Sequence, residues 1–222
     1  YFWIIDGATD LYDSKKSIGY SVSEITHLLS EKLKVYCNEK ESLKTIFQNA
    51  IKEVRNIIGL NDSNHEEYYK LPTFAFIIAR LSQRKLEYLI LGDCVMLVND
   101  EQLTDHRVDR LFDLGKNEIE NSKKGLNVLN KKEILQKIRG LANKEKGYWI
   151  GSLDDSSIEH AIYGNLEVTG DNIVLMSDGF YDYYSQNTTK SFEELIAMRK
   201  QSTEIDPIYG KKDDASILVV EL

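Results

Sequence analysis

The sequence predicts an α+β domain built in layers, with helices packed on antiparallel sheet faces. Three observations carry that expectation. Apolar residues first recur at helical spacing along two long stretches. They then gather into short runs separated by turn residues, as strands do. The predicted order is strand, two helices, several strands, an insertion, strands, a helix and a strand, which is not the regular alternation of a doubly wound sheet.

The first element, residues 1–6, reads as a buried strand ending in Asp6-Gly7, and a polar turn runs from Asp10 to Gly19. Ser21-Val22-Ser23-Glu24 has the form of a capping box, in which the hydroxyl and the carboxylate satisfy each other's free backbone N–H groups. Ile25, Leu28, Leu29 and Leu33 then mark a first helix. Leu43, Ile46, Phe47, Ala50, Ile51, Val54, Ile57 and Ile58 form one stripe of a second helix, with Gly59 as its stop. Thr73–Leu81, Leu86–Leu91 and Val95–Val98 read as consecutive antiparallel strands. The stretch 107–146 is rich in Lys, Asn and Glu and holds one amphipathic piece, Ile134–Leu141; it reads as a helical insertion or flap over the sheet edge. Glu159–Tyr163 and Ile173–Met176 read as strands, Phe192–Met198 as a short helix and Ser216–Glu221 as the last strand. Both helical stripes are core-facing surfaces rather than partner grooves.

Composition bounds the function. The 222 residues are 42% hydrophobic and 29% charged, which suits a single globular domain spanning 1–222. The formal net charge of -8 argues against nucleic acid, whose phosphates need clustered Lys and Arg. No apolar run approaches the roughly 20 residues of a membrane span. The two cysteines, Cys37 at the end of a helical pattern and Cys94 in a strand-like segment, read as buried free thiols of a reducing cytoplasm. The chain starts without Met inside a strand-like segment, so upstream strand residues are expected to be missing from this numbering.

Four segments share one chemical design, an apolar strand beside an aspartate. They are Trp3-Ile4-Ile5-Asp6-Gly7, Leu89-Ile90-Leu91-Gly92-Asp93, Ile173–Met176 followed by Ser177-Asp178-Gly179, and Asp213-Asp214 before Ser216–Glu221. A lone Asp-Gly is commonly a turn. Four strand-end acidic positions that converged on one sheet edge would repel one another, and hard divalent cations offset that with oxygen ligands.

In order and context these segments resemble the type 2C, metal-dependent serine/threonine protein phosphatases, above all the bacterial members. Phe2–Ala8 is similar to that family's first aspartate motif, and Leu71–Leu81 to the strand after its two helices. Tyr88–Cys94 is similar to its Gly-Asp-Ser segment, Gln102–His106 to its Leu-Thr-x-Asp-His stretch, Ile173–Gly179 to its Ser-Asp-Gly strand and Asp213–Val220 to its closing strand.

The resemblance implies a four-layer αββα sandwich of two antiparallel sheets flanked by helices, with a metal centre between the sheet edges. By it, Asp6 bridges two Mg²⁺ or Mn²⁺ ions, helped by the Gly7 carbonyl. Asp178 and Asp213 each bind one ion, and Asp93 serves a third, looser one. The ions activate a water for in-line attack on phosphorus, with Asp6, Asp178 and Asp213 as the catalytic carboxylates. Neither Cys37 nor Cys94 is needed as a nucleophile. The implied substrate is phosphoserine or phosphothreonine in a protein, opposing a serine/threonine kinase in cytoplasmic signalling, with no nucleic-acid or membrane partner.

There are departures. Ala8-Thr9-Asp10 stands where the family usually has two further glycines, Cys94-Val95 replaces Ser-Arg, and Asp214 replaces an Asn. The family's phosphate-binding arginine and an acidic metal-shell residue lie upstream of Asp6. No substrate-binding residue is assigned from the sequence. The departures motivate a rival expectation, a weak or inactive regulatory module on the same fold; a third is a hydrolase of another phosphate ester. His27, on the first helix, and His160, in a strand, read as structural or exposed; His106 reads as a loop histidine, with a catalytic acid as the alternative, and His65 lies in a polar loop. Tyr181, Tyr183 and Tyr184 read as aromatic packing over a helix start.

Overall fold

The computed structural model describes residues 1–60, 69–107, 131–203 and 214–222. The chain begins with β1 (Phe2–Gly7), a short helix α1 (Ser14–Ile18) and the two long helices α2 (Val22–Tyr36) and α3 (Leu43–Ile58). Strands β2 (Thr73–Ser82), β3 (Lys85–Leu91), β4 (Val95–Val98) and β5 (Glu101–Leu103) come next. After them lie α4 (Lys131–Arg139), β6 (Gly151–Ser152), a 3₁₀ helix (Asp155–His160), β7 (Ile162–Glu167), β8 (Asn172–Met176), α5 (Asp178–Ser185), α6 (Phe192–Gln201) and β9 (Ile217–Glu221).

Two antiparallel sheets result. The first runs β1-β2-β3-β7, with β6 paired to the start of β2, and the second runs β5-β4-β8-β9. Because strand side chains alternate, each sheet feeds two cores. Phe74, Phe76, Ile78, Leu89 and Leu91 face outward onto the stripes of α2 and α3, where Phe47 stacks on Phe76 with ring centroids 3.8 Å apart. Ile4, Ala75, Ile77, Ile90, Met96, Ile173 and Leu175 fill the space between the sheets. Val95, Val174 and Met176 face the other way, onto Phe180 and Leu195 of α5 and α6. The molecule is therefore an αββα sandwich.

Local signals explain the elements. The capping box at the start of α2 is formed, with Ser21 Oγ accepting from the Glu24 N–H and the Glu24 carboxylate accepting from the Ser21 N–H. Gly59 closes α3 in the left-handed region, φ 69°. Among the described residues, no helix is long and apolar enough to cross a membrane.

The structure corrects several sequence expectations. The polar turn between Asp10 and Gly19 contains α1, and the expected strand at Glu159–Tyr163 starts only at Ile162. His160 is thus the last residue of the 3₁₀ helix rather than part of a strand, and its ring stacks on Trp149. Asp154 caps that helix by accepting from the Ser156 N–H, a local bond that outcompetes extended pairing. Cys94 lies in the crossing between β3 and β4 rather than in a strand. Of the insertion, residue 107, helix α4 and residues 140–146 are described; residues 108–130 lie outside the described residues, as do Asp213 and His65.

Candidate active site

Three aspartates are delivered to one end of the space between the sheets. Asp6 lies opposite Ala75 of β2. By alternation it takes the face of Ile4, and both Ile4 and Ala75 belong to the inter-sheet core. At the end of β3 the chain leaves the first sheet through Gly92 and enters the second at Val95, carrying Asp93 and Cys94 across. The β4–β8 register sets Val95 opposite Met176; continued two residues past its end, it sets Asp93 opposite Asp178. Asp178 opens α5, and its carboxylate accepts from the Gly179 N–H at 2.7 Å. Ser177 joins this corner to the last strand, since its N–H donates to the Ser216 carbonyl and its hydroxyl accepts from the Ser216 N–H, each at 3.0 Å.

Cys94 marks the point of convergence. Its thiol is completely buried and pushed well above its ordinary range, by burial first and then by the negative charges of Asp6, Asp93 and Asp178. Carboxylates from three segments and both sheets thus act on one sulfur. Burial also raises the Cys37 thiol. For Cys37 burial outweighs the nearby Arg80 charge, and Cys94 has only negative charges around it, so neither thiol is lowered towards a nucleophilic thiolate.

The frame around the aspartates is closely fitted. A Cβ on Gly7 would lie 2.6 Å from Val22 Cγ1, so glycine is what lets the first turn of α2 close onto the end of β1. Gly92 has φ 86°, and a Cβ there would fall 2.7 Å from that of Ala75. Its N–H points to the Asp105 carboxylate at 3.4 Å. Asp105 is completely buried and takes a two-pronged ion pair from Arg107, at 2.7 and 2.6 Å. Arg107 in turn donates to the His160 carbonyl at 2.7 Å. The Leu-Thr-Asp-His stretch therefore works as a brace for the crossing that carries Asp93.

After Gly7, the Ala8 N–H donates to the Thr73 carbonyl at 2.9 Å. Asp10 is occupied by its own loop, accepting from Tyr12 N–H, Ser14 N–H and the Ser14 hydroxyl. Burial raises its carboxyl, but those hydrogen bonds outweigh burial and leave it lowered. Helix α4 lies over this loop. Tyr12 donates to the Gln136 carbonyl, Gln136 donates to the Leu11 carbonyl, and Arg139 reaches the Thr9 carbonyl at 3.5 Å. Leu11, Ile134 and Leu135 seal the contact. Arg139 and its partner Tyr148 are site neighbours that no sequence motif singles out.

A cation fits this corner in kind. The donors are carboxylate oxygens, the set that hard divalent ions take. Thr73 is completely buried, its hydroxyl has no hydrogen-bond partner among the described residues, and alternation turns it to the same side as Ala75. Among the described residues, no three Asp, Glu, His or Cys side chains already form a closed ligand cluster. Asp213, the remaining expected ligand, lies outside them.

Comparison with known proteins gives the corner its context. The model of a family described as protein phosphatase 2C matches residues 1–207. The chain belongs to the protein phosphatase 2C family. Solved structures agree on the fold of this phosphatase-family chain. A bacterial serine phosphatase is 15% identical, over 98% of this chain and 83% of its own, with a TM-score of 0.53. The serine/threonine phosphatase Stp1 from Staphylococcus aureus is 16% identical over 99% and 82%, with a TM-score of 0.52. A serine/threonine phosphatase from S. agalactiae is 14% identical over 99% and 86%, with a TM-score of 0.51. No curated protein sequence matches the chain.

Other residues named from the sequence of this family member fall outside the corner. His27 is on α2, where its ring bonds the Ser23 carbonyl. Tyr181, Tyr183 and Tyr184 pack with Phe192 and Ile196 in the outer core of α5 and α6.

Proposed function

We propose that this chain hydrolyses phosphoserine and phosphothreonine in proteins with the help of two divalent cations, Mg²⁺ or Mn²⁺, and an activated water. The observation that carries the reading is the delivery of Asp6, Asp93 and Asp178 to one end of the space between the two sheets, by the β1–β2 and β4–β8 registers. Family membership supports the reaction class. Asp6, Asp178 and Asp213, with the Gly7 carbonyl, would hold the two ions, and Asp93 a third. When bound, the ions supply Lewis acidity, acidifying a water and offsetting charge that develops on the phosphoryl oxygens. The chain's own contribution is placement. The two sheets hold Asp6 and Asp178 on opposite walls, the Asp105–Arg107 pair holds the crossing that bears Asp93, and α4 covers the loop after Gly7. The substrate would be a phosphoprotein made by a serine/threonine kinase in the cytoplasm.

The test is phosphate release from a phosphothreonine peptide with and without Mn²⁺. Release should depend on the ion. Asp178→Ala should lower it by more than the roughly 10–100-fold that losing a group behind a metal ligand costs. Wild-type rates in a folded Asp178→Ala protein would remove Asp178 from the site. Manganese binding without any release would instead favour a regulatory module on this fold. Faster turnover of a small aryl phosphate than of the peptide would point to a different ester.

A further inference from the structure

We propose that Thr73 is a positioning residue of the cation centre, its hydroxyl taking a hydrogen bond from the hydration shell of an ion at Asp6; this rests on the reading of that corner as a divalent-cation site. Thr73 is the first residue of β2 and is completely buried. Its Oγ1 has no hydrogen-bond partner among the described residues. A buried hydroxyl without a partner is destabilising, so one that persists calls for an occupant beside it.

The strand registers say on which side that occupant lies. Thr73 shares the inter-sheet face with Ala75, two residues further along β2. Ala75 is paired with Asp6. The same register, continued one residue past β1, sets Ala8 opposite Thr73, and there the Ala8 N–H donates to the Thr73 carbonyl at 2.9 Å. On its other flank Thr73 is paired with Ser152 of β6. Of these neighbours, Ala8 and Ala75 carry only methyl groups. Ser152 is already spent, because its hydroxyl donates to the Asp154 carbonyl and accepts from the Asp154 N–H and the Asn143 amide. The polar neighbour that remains on this face is Asp6, diagonal to Thr73 across β1 and β2. Diagonal neighbours on a sheet stand roughly 7–8 Å apart. That is too far for a direct hydrogen bond and wide enough for an ion or a water between them. Hard cations, Mg²⁺ above all, keep part of their water when carboxylates bind them. A water of that shell has protons to donate, and a hydroxyl can accept one while its own proton turns to another oxygen. Thr73 would thus tether the shell of the ion to the start of β2, beside the carboxylate that holds the ion.

The experiment compares the wild type, Thr73→Val and Thr73→Ser in two measurements, melting of the ion-free protein and Mn²⁺ binding by calorimetry. In Thr73→Val the two should move in opposite senses. Valine nearly keeps the shape and removes the unpartnered oxygen, so the ion-free protein should melt higher, by roughly 2–4 °C. Mn²⁺ should bind roughly 10- to 100-fold more weakly, as when a group behind a metal ligand is lost. Thr73→Ser should melt below wild type for want of a methyl group, yet bind Mn²⁺ within about threefold of it. Unchanged Mn²⁺ affinity in Thr73→Val would overturn the proposal. So would an ion-free Thr73→Val protein that melts below wild type or does not fold, because the hydroxyl would then have a partner within the fold itself. Equal losses of affinity in Thr73→Ser and Thr73→Val would also overturn it, by making packing rather than the hydroxyl the cause. Phosphate release, measured alongside, separates this role from the phosphatase reading. A wild type that releases no phosphate, but whose Mn²⁺ binding is weakened by Thr73→Val, keeps the cation centre and this role and discards the phosphatase. A wild type that binds no Mn²⁺ discards the centre and this role together.

Discussion

Gly92 shows how tightly single positions are specified around the aspartates. Its φ of 86° costs a side-chain-bearing residue roughly 1–2 kcal/mol, and crowding against Ala75 should add about 1–3 kcal/mol. Gly92→Ala should therefore lower the urea midpoint clearly, and an unchanged midpoint would mean that the crossing relaxes. Glu24 makes a pH-dependent case. Its carboxyl is lowered from 4.5 to about 2 by the Lys15 hydrogen bond first and then by Ser21. A depressed carboxylate stabilises above its unfolded value and loses that contribution as pH falls through the folded one. Glu24→Ala should thus melt below wild type at neutral pH, and the gap should close between pH 4.5 and about 2. A gap that stayed constant through acid would show that charge plays no part in this cap. The capping box and the strand-end aspartates were legible in the sequence because each depends on neighbours within a few positions. Arg139 was not, because its partners Thr9 and Tyr148 lie 130 and nine positions away and only the folded chain brings them together.

At the scale of elements, the helices of the outer layer were the plainest signal. The α3 stripe of Leu43, Ile46, Phe47, Ala50, Ile51 and Val54 is buried throughout. Phe47 is its centre, completely buried and stacked on Phe76. Phe47→Ala should cost about 3–5 kcal/mol, read from denaturant midpoints. A loss under about 1 kcal/mol would mean that the outer core collapses into the gap. Helix α1 and strand β5 are invisible in the sequence for a physical reason. Five and three residues are too few to show a period, and Ser14–Ile18 is held by Asp10 hydrogen bonds rather than by an apolar stripe. Helix α4 did show its apolar side in the sequence. That this side seats on Leu11, in the loop after the first aspartate, is a tertiary fact.

For the molecule as a whole, four layers followed from the family-like order of motifs, and the two sheets bear that order out. The alternation of strands predicted buried faces but not which sheet each strand would join. That choice is made at Gly92, where one strand ends on the first sheet and the next begins on the second. The inter-sheet layer built from Ile4, Ala75, Ile77, Ile90, Met96, Ile173 and Leu175 has a consequence for chemistry. Asp6 stands on one wall and Asp178 on the other, so the thickness of this apolar filling sets the gap across which the carboxylates face each other. The filling works as a calliper. Close-packed interiors transmit strain rather than absorb it, so a methylene added between the sheets would be registered at the aspartates. The spacing of a charged site is here governed by residues that carry no charge at all.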